Sequence, residues 1–307
     1  MAAHPSSGIA ISIKNLHKAY GSLIAVDGIS FDVHEGELFG FLGPNGAGKT
    51  TTINILTGLA TPTVGSVKIY GNDVVKDYRE ARALIGLAPQ EYNFDVFITP
   101  MQCLRIVGGY YGMEKRALER RSKELLSLLG LWSKRDARIK DLSGGMKRCL
   151  TIARALIHDP KIIILDEPTA GVDVELRRRL WKLFTDLKRQ GKTVILTTHY
   201  IEEAERLCDH IAVMNKGMVV AIDNKQQLIN SFAKYTISVT VRKAVKKLPK
   251  SFSVYDYKKD GAKLFVFIEH KRKLMDILDA FRKARILIED ISVNKDNLED
   301  IFVELTK

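Results

Sequence analysis

The stretch Gly43-Pro44-Asn45-Gly46-Ala47-Gly48-Lys49-Thr50-Thr51 follows the apolar run Leu38-Phe39-Gly40-Phe41-Leu42 and precedes a segment, Thr51 to Thr57, that reads as a helix ending at Gly58. Strand, glycine-rich loop and helix in that order is the context of a phosphate-binding loop. Gly43, Gly46 and Gly48 let the backbone curl with its N–H groups inward, and the helix aims the positive end of its dipole at the same hollow. Lys49 offers a mobile cation to the outer phosphates. The Thr50 hydroxyl suits a magnesium ion that keeps most of its waters. A chance glycine-rich turn is the plain alternative, and the flanking strand and helix weigh against it.

Outward from this loop, the chain has 307 residues, enough for one large domain and a smaller one. Hydrophobic residues make up 46% and charged residues 27%, as in an ordinary globular protein. No run of about 18 apolar residues is present to cross a bilayer. The start, Met1 to Gly8, lacks the apolar core and cleavage site of a secretory signal, so residence in the cytosol is expected. Cys103, Cys149 and Cys208 lie far apart with no metal-ligand spacing and read as reduced thiols. The net charge of +12 is unevenly spread, half of it lying in residues 232–307, which hold 17 Lys/Arg against 11 Asp/Glu. Such a balance fits a solvated or membrane-facing surface better than nucleic acid.

Before the loop, residues 9–34 alternate apolar and polar positions, with Gly21-Ser22 as a turn, which predicts two strands of a half-exposed antiparallel sheet. Tyr20, just before the turn, is either a packing residue or a ring on which a base stacks. After the loop, Gly65 to Gly71 reads as a short strand. Ile85 to Gln90 reads as a buried strand that delivers Gln90 at its end, where the amide can reach a metal or its water. From Thr99 to Gly130 the periodicity turns helical, with Leu118, Leu125, Leu126 and Leu129 on one side of Glu114–Leu129. At Leu142-Ser143-Gly144-Gly145-Met146 a further helix begins, and its serine and bare backbone amides offer either an N-cap or an anion site.

Four apolar residues in Ile162-Ile163-Ile164-Leu165 run into Asp166-Glu167, as expected of a strand buried on both faces that ends at a ligand. Asp166 can hold magnesium. Glu167, expected to point to the other side of the strand, can orient or deprotonate a water. The turn Ala170 to Asp173 leads to a helix Val174–Gln190. Strand Thr193–Thr198 then ends at His199, which can donate to a phosphate oxygen. Ile211 to Ile222 reads as a closing hairpin, and Asn224 to Phe232 as a helix. Residues 235–307 start afresh with strands Tyr235–Val241, Leu264–Ile268 and Ile286–Val293 and a helix Arg272–Ala284, a small α+β module. The prediction is an α/β fold: a P-loop NTPase core with a mostly parallel sheet, an N-terminal antiparallel β-subdomain and a helical insert at about 95–145. The expected boundaries are a flexible 1–8, an ATPase domain 9–230 and an accessory domain 231–307.

Over about residues 9–230 the sequence resembles the ATP-binding subunits of ABC transporters. The likeness rests on six elements in register. Lys49 and Thr50 match Walker A, Gln90 the Q-loop, Leu142-Ser143-Gly144-Gly145 the signature, Asp166 the Walker B aspartate with Glu167 the catalytic glutamate, Asp173 the D-loop and His199 the switch histidine. Tyr20 matches the adenine-stacking aromatic. Met146 replaces the usual glutamine of the signature; the phosphate contacts in this family belong to Ser143 and Gly145. The tail Asn297 to Thr306 and Met146-Lys147-Arg148 are similar to the branch serving bacterial drug and polysaccharide exporters.

The resemblance implies ATP and Mg2+ as ligands, with Gly43 to Thr51, Ser143, Gly144, Gly145, Asp173 and Tyr20 around the nucleotide, Thr50, Gln90 and Asp166 around the metal, and Glu167, His199 and Gln90 in catalysis. It also implies a head-to-tail pair of identical subunits, each ATP lying between the Walker A of one and the signature of the other. The pair drives a separate transmembrane permease, docked beside Gln90 and the helical insert, at the cytoplasmic face of the cell membrane. A soluble ABC-type ATPase acting on nucleic acid or ribosomes is the competing class. It lacks support, because the chain has neither a long coiled-coil insert nor a second cassette, and no nucleic acid partner is expected.

Overall fold

The computed structural model describes residues 8–232, 235–242, 252, 256–268, 273–295 and 297–306. The expected flexible start falls outside them except for Gly8, as does Arg272. The chain divides into two compact units, one ending at Lys225 and the next running from Gln226 to Leu305.

The first unit opens with β1 (Ile9–Tyr20) and β2 (Leu23–His34), paired antiparallel around the Gly21-Ser22 turn. Then come β3 (Leu38–Leu42), α1 (Lys49–Leu56), β4 (Val64–Ile69), β5 (Asn72–Asp73), α2 (Tyr78–Ala83) and β6 (Ile85–Ala88). The helical insert holds α3 (Pro100–Tyr110) and α4 (Lys115–Leu128) and leads into α5 (Gly144–Leu156). Thr99 and Gln102 form a reciprocal capping box at the head of α3. Gly130, at φ 73°, follows the end of α4. The unit is completed by β7 (Ile162–Asp166), α6 (Val174–Arg189), β8 (Thr193–Thr198), α7 (Ile201–Leu207), β9 (His210–Asn215) and β10 (Met218–Asn224).

Two sheets result. One is antiparallel, in the order β2-β1-β4-β5; the other has six strands in the order β10-β9-β3-β8-β7-β6. Within the second, β9, β3, β8, β7 and β6 run parallel and only β10 is antiparallel. Every residue of β3, β7 and β8 is buried, and their apolar centres, Leu38–Leu42, Ile162–Leu165 and Val194–Leu196, are those of strands covered on both faces. The facing sides of the two sheets share one core, in which the rings of Phe31, Phe39 and Phe41 meet at centroid distances of 5.3 to 5.5 Å. This core fixes β3, β8 and β7 side by side, so that their carboxyl ends open at one edge.

Several boundaries differ from expectation. The helix after the loop starts at Lys49 instead of Thr51 and stops at Leu56. α2 and α7 were not anticipated: six and seven residues are too few to display a period of 3.6. Asn224 ends a strand, so the following α8 (Lys225–Phe232) begins one residue late.

The second unit pairs β11 (Tyr235–Val241), β12 (Asp256–Asp260), β13 (Lys263–Ile268) and β14 (Ile288–Lys295) in an antiparallel sheet of order β12-β13-β11-β14. α9 (Lys273–Lys283) packs Ile277, Ala280 and Phe281 against the alternate residues Ile237, Val239, Leu264 and Val266. Arg285 adopts a left-handed φ of 56°, and β14 starts at Ile288, two residues later than expected. The chain's last described helix is α10 (Leu298–Leu305), capped by mutual hydrogen bonds between Asn297 and Asp300.

Candidate functional site

The loop between β3 and α1 is tightly packed from behind. A side chain at Gly43 would bring its Cβ within 2.6 Å of the Met214 carbonyl oxygen, and one at Gly48, where φ is 103°, within 2.5 Å of the Ala25 carbonyl oxygen. Gly46 also has positive φ but faces open space. Ala47 is buried and its amide donates to Pro44 O at 3.1 Å, closing the turn, while Pro44 and Asn45 are exposed. Among the described residues, the amides of Gly46, Gly48, Lys49 and Thr50 find no protein acceptor. Unpaired donors at a helix start form a cradle for an anion.

Lys49 lies over this cradle. Its buried ammonium donates to Gly43 O at 2.6 Å and Pro44 O at 3.1 Å. Burial lowers its pKa, against the opposing pull of the Glu167 and Asp166 charges. An ammonium held on neutral carbonyls beside unpaired amides is a site short of negative charge, and polyphosphate fits it. Thr50 leaves its side chain exposed, Thr51 is half-buried, and Thr52 is turned inward to Gly48 O.

Asp166 ends β7 opposite Thr197 of β8. The Thr197 hydroxyl donates to Asp166 and accepts from the Glu167 amide at 3.0 Å, so one side chain sets both acids. Burial raises the Asp166 pKa, and Thr197 and Lys49 counter it. A buried carboxylate whose charge reaches Lys49, with the exposed Thr50 hydroxyl next in the chain, is a donor set suited to a hard divalent cation.

Glu167 does not simply take the opposite face of the strand: it leaves β7 in a left-handed conformation, φ 47°. That turn sends its buried carboxylate between two neighbours. His199 Nδ1 lies 3.2 Å from Oε1, and Gln90 Nε2 donates to Oε2 at 3.2 Å. Gln90 therefore meets the catalytic candidate through its amide nitrogen, leaving its carbonyl oxygen for a metal or water.

The other residues expected at the site gather elsewhere. Ser143 caps α5, its Oγ accepting from Met146 N at 3.3 Å, and Asp173 caps α6, its Oδ1 accepting from Leu176 N at 2.8 Å. Ser143, Gly145 and Asp173 line one open hollow of about 280 Å3 with Met146 and Arg179. Among the described residues, no hydrogen bond joins Ser143, Gly144, Gly145 or Asp173 to the Gly43–Thr51 loop. Tyr20 stands 48% exposed at the end of β1, with the Lys18 ammonium 4.6 Å from its ring centroid.

Comparison with known proteins gives this geometry its setting. The ABC transporter family model matches residues 26–170. A Nod factor export ATP-binding protein of Cupriavidus metallidurans is 37% identical over 96% of this chain and 97% of its own length. The chain belongs to the ABC transporter ATP-binding family. One from Mesorhizobium japonicum is 46% identical over 73% of this chain and 66% of its own. Among solved structures, an ATP-binding subunit of an ABC transporter superposes with a TM-score of 0.69 at 28% identity, covering 73% of this chain and 93% of that one. A dimeric ATP-binding cassette in a post-hydrolysis state with ADP and Pi gives 0.64 at 30% identity, covering 70% and 98%. The chain is thus an ABC cassette with the P-loop α/β fold, and its activity is ATP hydrolysis.

Three residues of this cassette escaped sequence reading. Thr197 is one. Arg148, buried in α5, donates to Pro89 O at 2.9 Å and to Gln90 O at 3.0 Å. Its guanidinium also stacks 5.0 Å from the Tyr92 ring, whose hydroxyl donates to Gly144 O at 3.2 Å. The backbone around Gln90 is thereby tied to the helix that carries the signature. Only a pairing signal between distant positions reveals such links.

Proposed function

We propose that this cassette is one of two identical halves of an exporter's motor, binding two ATP head to tail and driving a separate permease from the cytoplasmic face of the membrane. The observation that carries the reading is the Glu167 carboxylate held between Gln90 and His199 at the strand ends beyond the loop. Gly43 to Thr51 bind the phosphates, with Lys49 turning from its carbonyls to the outer phosphate oxygens. Thr50, Asp166 and the Gln90 carbonyl would hold Mg2+, which supplies charge neutralisation on the phosphates. Tyr20 offers a face to the base. Glu167 accepts a proton from the attacking water, and His199 steadies the carboxylate and donates to a phosphate oxygen.

Each Glu167 oxygen has one neighbour in this state, and release of one of them makes that oxygen the better base. Gln90 is the suited one, because Pro89, the residue before it, lines a cleft of about 410 Å3 together with Leu59, Arg82, Asn93, Tyr111 and His158. A permease segment seated there would pull on Pro89 and, through it, on Gln90. The second-subunit role of Ser143, Gly144, Gly145 and Asp173 follows from their separation from the loop. Export is the role named for the relatives, and no helix among the described residues is long and apolar enough to cross a membrane, consistent with a separate permease.

Mixing two inactive variants tests the arrangement. Lys49→Ala lacks a working loop and Ser143→Arg lacks a working signature. Each alone should hydrolyse no ATP, and a mixture should recover activity, because one composite site of the mixed pair is intact. A mixture as inactive as its components contradicts the head-to-tail pair.

A further inference from the structure

Glu203 is fully buried, at the third residue of α7, the helix that leads away from His199. A carboxylate there carries a desolvation penalty that a leucine would not. Its Oε1 accepts from Thr169 Oγ1 at 3.0 Å and from Trp181 Nε1 at 2.8 Å. Thr169 is buried two residues beyond Glu167, and Trp181 lies on α6, the helix that Asp173 caps. One oxygen atom therefore joins three pieces of chain: the segment after Glu167, the helix after Asp173 and the helix after His199.

The need for such a joint follows from the sheet. The ladder between β7 and β8 ends at Asp166 opposite Thr197, with one further bond from Glu167 N to Thr197 O at 3.1 Å. Past that point the two segments diverge. Among the described residues, the polar side-chain links across the gap include the Glu167–His199 contact, Thr169–Glu203 and Trp181–Glu203. The first of these lies between the reacting groups themselves and is open to solvent on the His199 side. The Arg177 guanidinium, 5.2 Å from the Tyr200 ring, and the Arg206 guanidinium, 5.1 Å from the Trp181 ring, brace α6 and α7 on either side.

We infer that Glu203 is a positioning residue for hydrolysis, holding the segments that carry Glu167 and His199 in register through Thr169 and the head of α7. This rests on the roles proposed above for Glu167 and His199. Glu203 touches no reacting atom, and none of the residues that cradle phosphate bonds to it. Its removal therefore lowers turnover and spares nucleotide binding.

The test measures kcat and KM for Mg-ATP with full-length variants, alongside thermal melts. Glu203→Ala should lower kcat about 30-fold with KM within about threefold, whereas Glu203→Gln, which keeps an acceptor oxygen, should stay within about threefold of the parent. Thr169→Val should lower kcat about fivefold, and the double variant Thr169→Val/Glu203→Ala should be no slower than Glu203→Ala alone. Trp181→Phe, which removes a donor without touching the Glu167 segment, should lower the melting temperature but not kcat. A folded Glu203→Ala with parental kcat overturns the inference, as does a rate loss matched by an equal loss of affinity, or a Trp181→Phe effect on kcat as large as that of Thr169→Val. If Glu203→Ala does not fold, Thr169→Val decides: parental kcat overturns. Glu167→Gln run in parallel separates the two levels, since its retained activity would refute the catalytic roles themselves.

Discussion

The phosphate loop and the signature are both glycine-bearing starts of helices, yet the molecule treats them differently. Around the loop, side chains are mutually bonded: buried Lys49 on loop carbonyls, buried Thr197 on both acids, and the exposed Gln90 and His199 on the buried Glu167. At the signature, Ser143 and Gly144 are exposed, Ser143 caps its own helix, and the Tyr92 hydroxyl reaches Gly144 O. One cluster is complete within the chain. The other presents an exposed helix start beside an open hollow, which is the form expected of a half-site.

Lys49→Ala and Ser143→Arg should therefore fail in different ways. Both lose more than about a hundredfold in hydrolysis, but the first also loses ATP affinity while the second binds ATP as a single subunit within about threefold of the parent. Equilibrium binding of ATP at low protein concentration separates them. Glycine substitutions sharpen the contrast at the level of stability. Gly48→Ala meets both a φ of 103° and a carbonyl oxygen at 2.5 Å and should lose about 2 kcal/mol or more in chemical denaturation, whereas a Cβ at Gly144 meets nothing within 4 Å and should leave the midpoint unchanged. Asp173→Ala should cost about 1 kcal/mol, the loss of one helix cap, with the larger effect reserved for hydrolysis.

The smallest effect concerns Glu203. Burial, above all, raises its pKa over the ordinary value near 4.5, despite its Trp181 and Thr169 donors. Stability linked to this group is full below the ordinary value and falls as pH rises through the raised folded value. Glu203→Gln does not titrate, so it should melt higher than the parent at pH 7.5, and the difference should close as the pH is lowered toward 4.5.

What could be read from sequence was whatever lies in consecutive residues. The loop, the buried strand ending in Asp166-Glu167 and the alternation of β1 and β2 carry their period and their chemistry locally. Thr197, Arg148 with Tyr92, and Glu203 act through partners 22 to 59 positions away, so nothing in their own neighbourhood marks them. The conformation of Glu167 was hidden for another reason. Alternation along a strand predicts its direction only while the strand continues, and the left-handed turn at Glu167 ends it.

The central claim is that Glu167 times the reopening of a pair closed on ATP. The most direct measurement is the solution mass of Glu167→Gln with Mg-ATP, by light scattering after size exclusion. A mass twice that of the chain, reverting to a single mass with Mg-ADP, is the predicted result. A single mass with saturating Mg-ATP would contradict it.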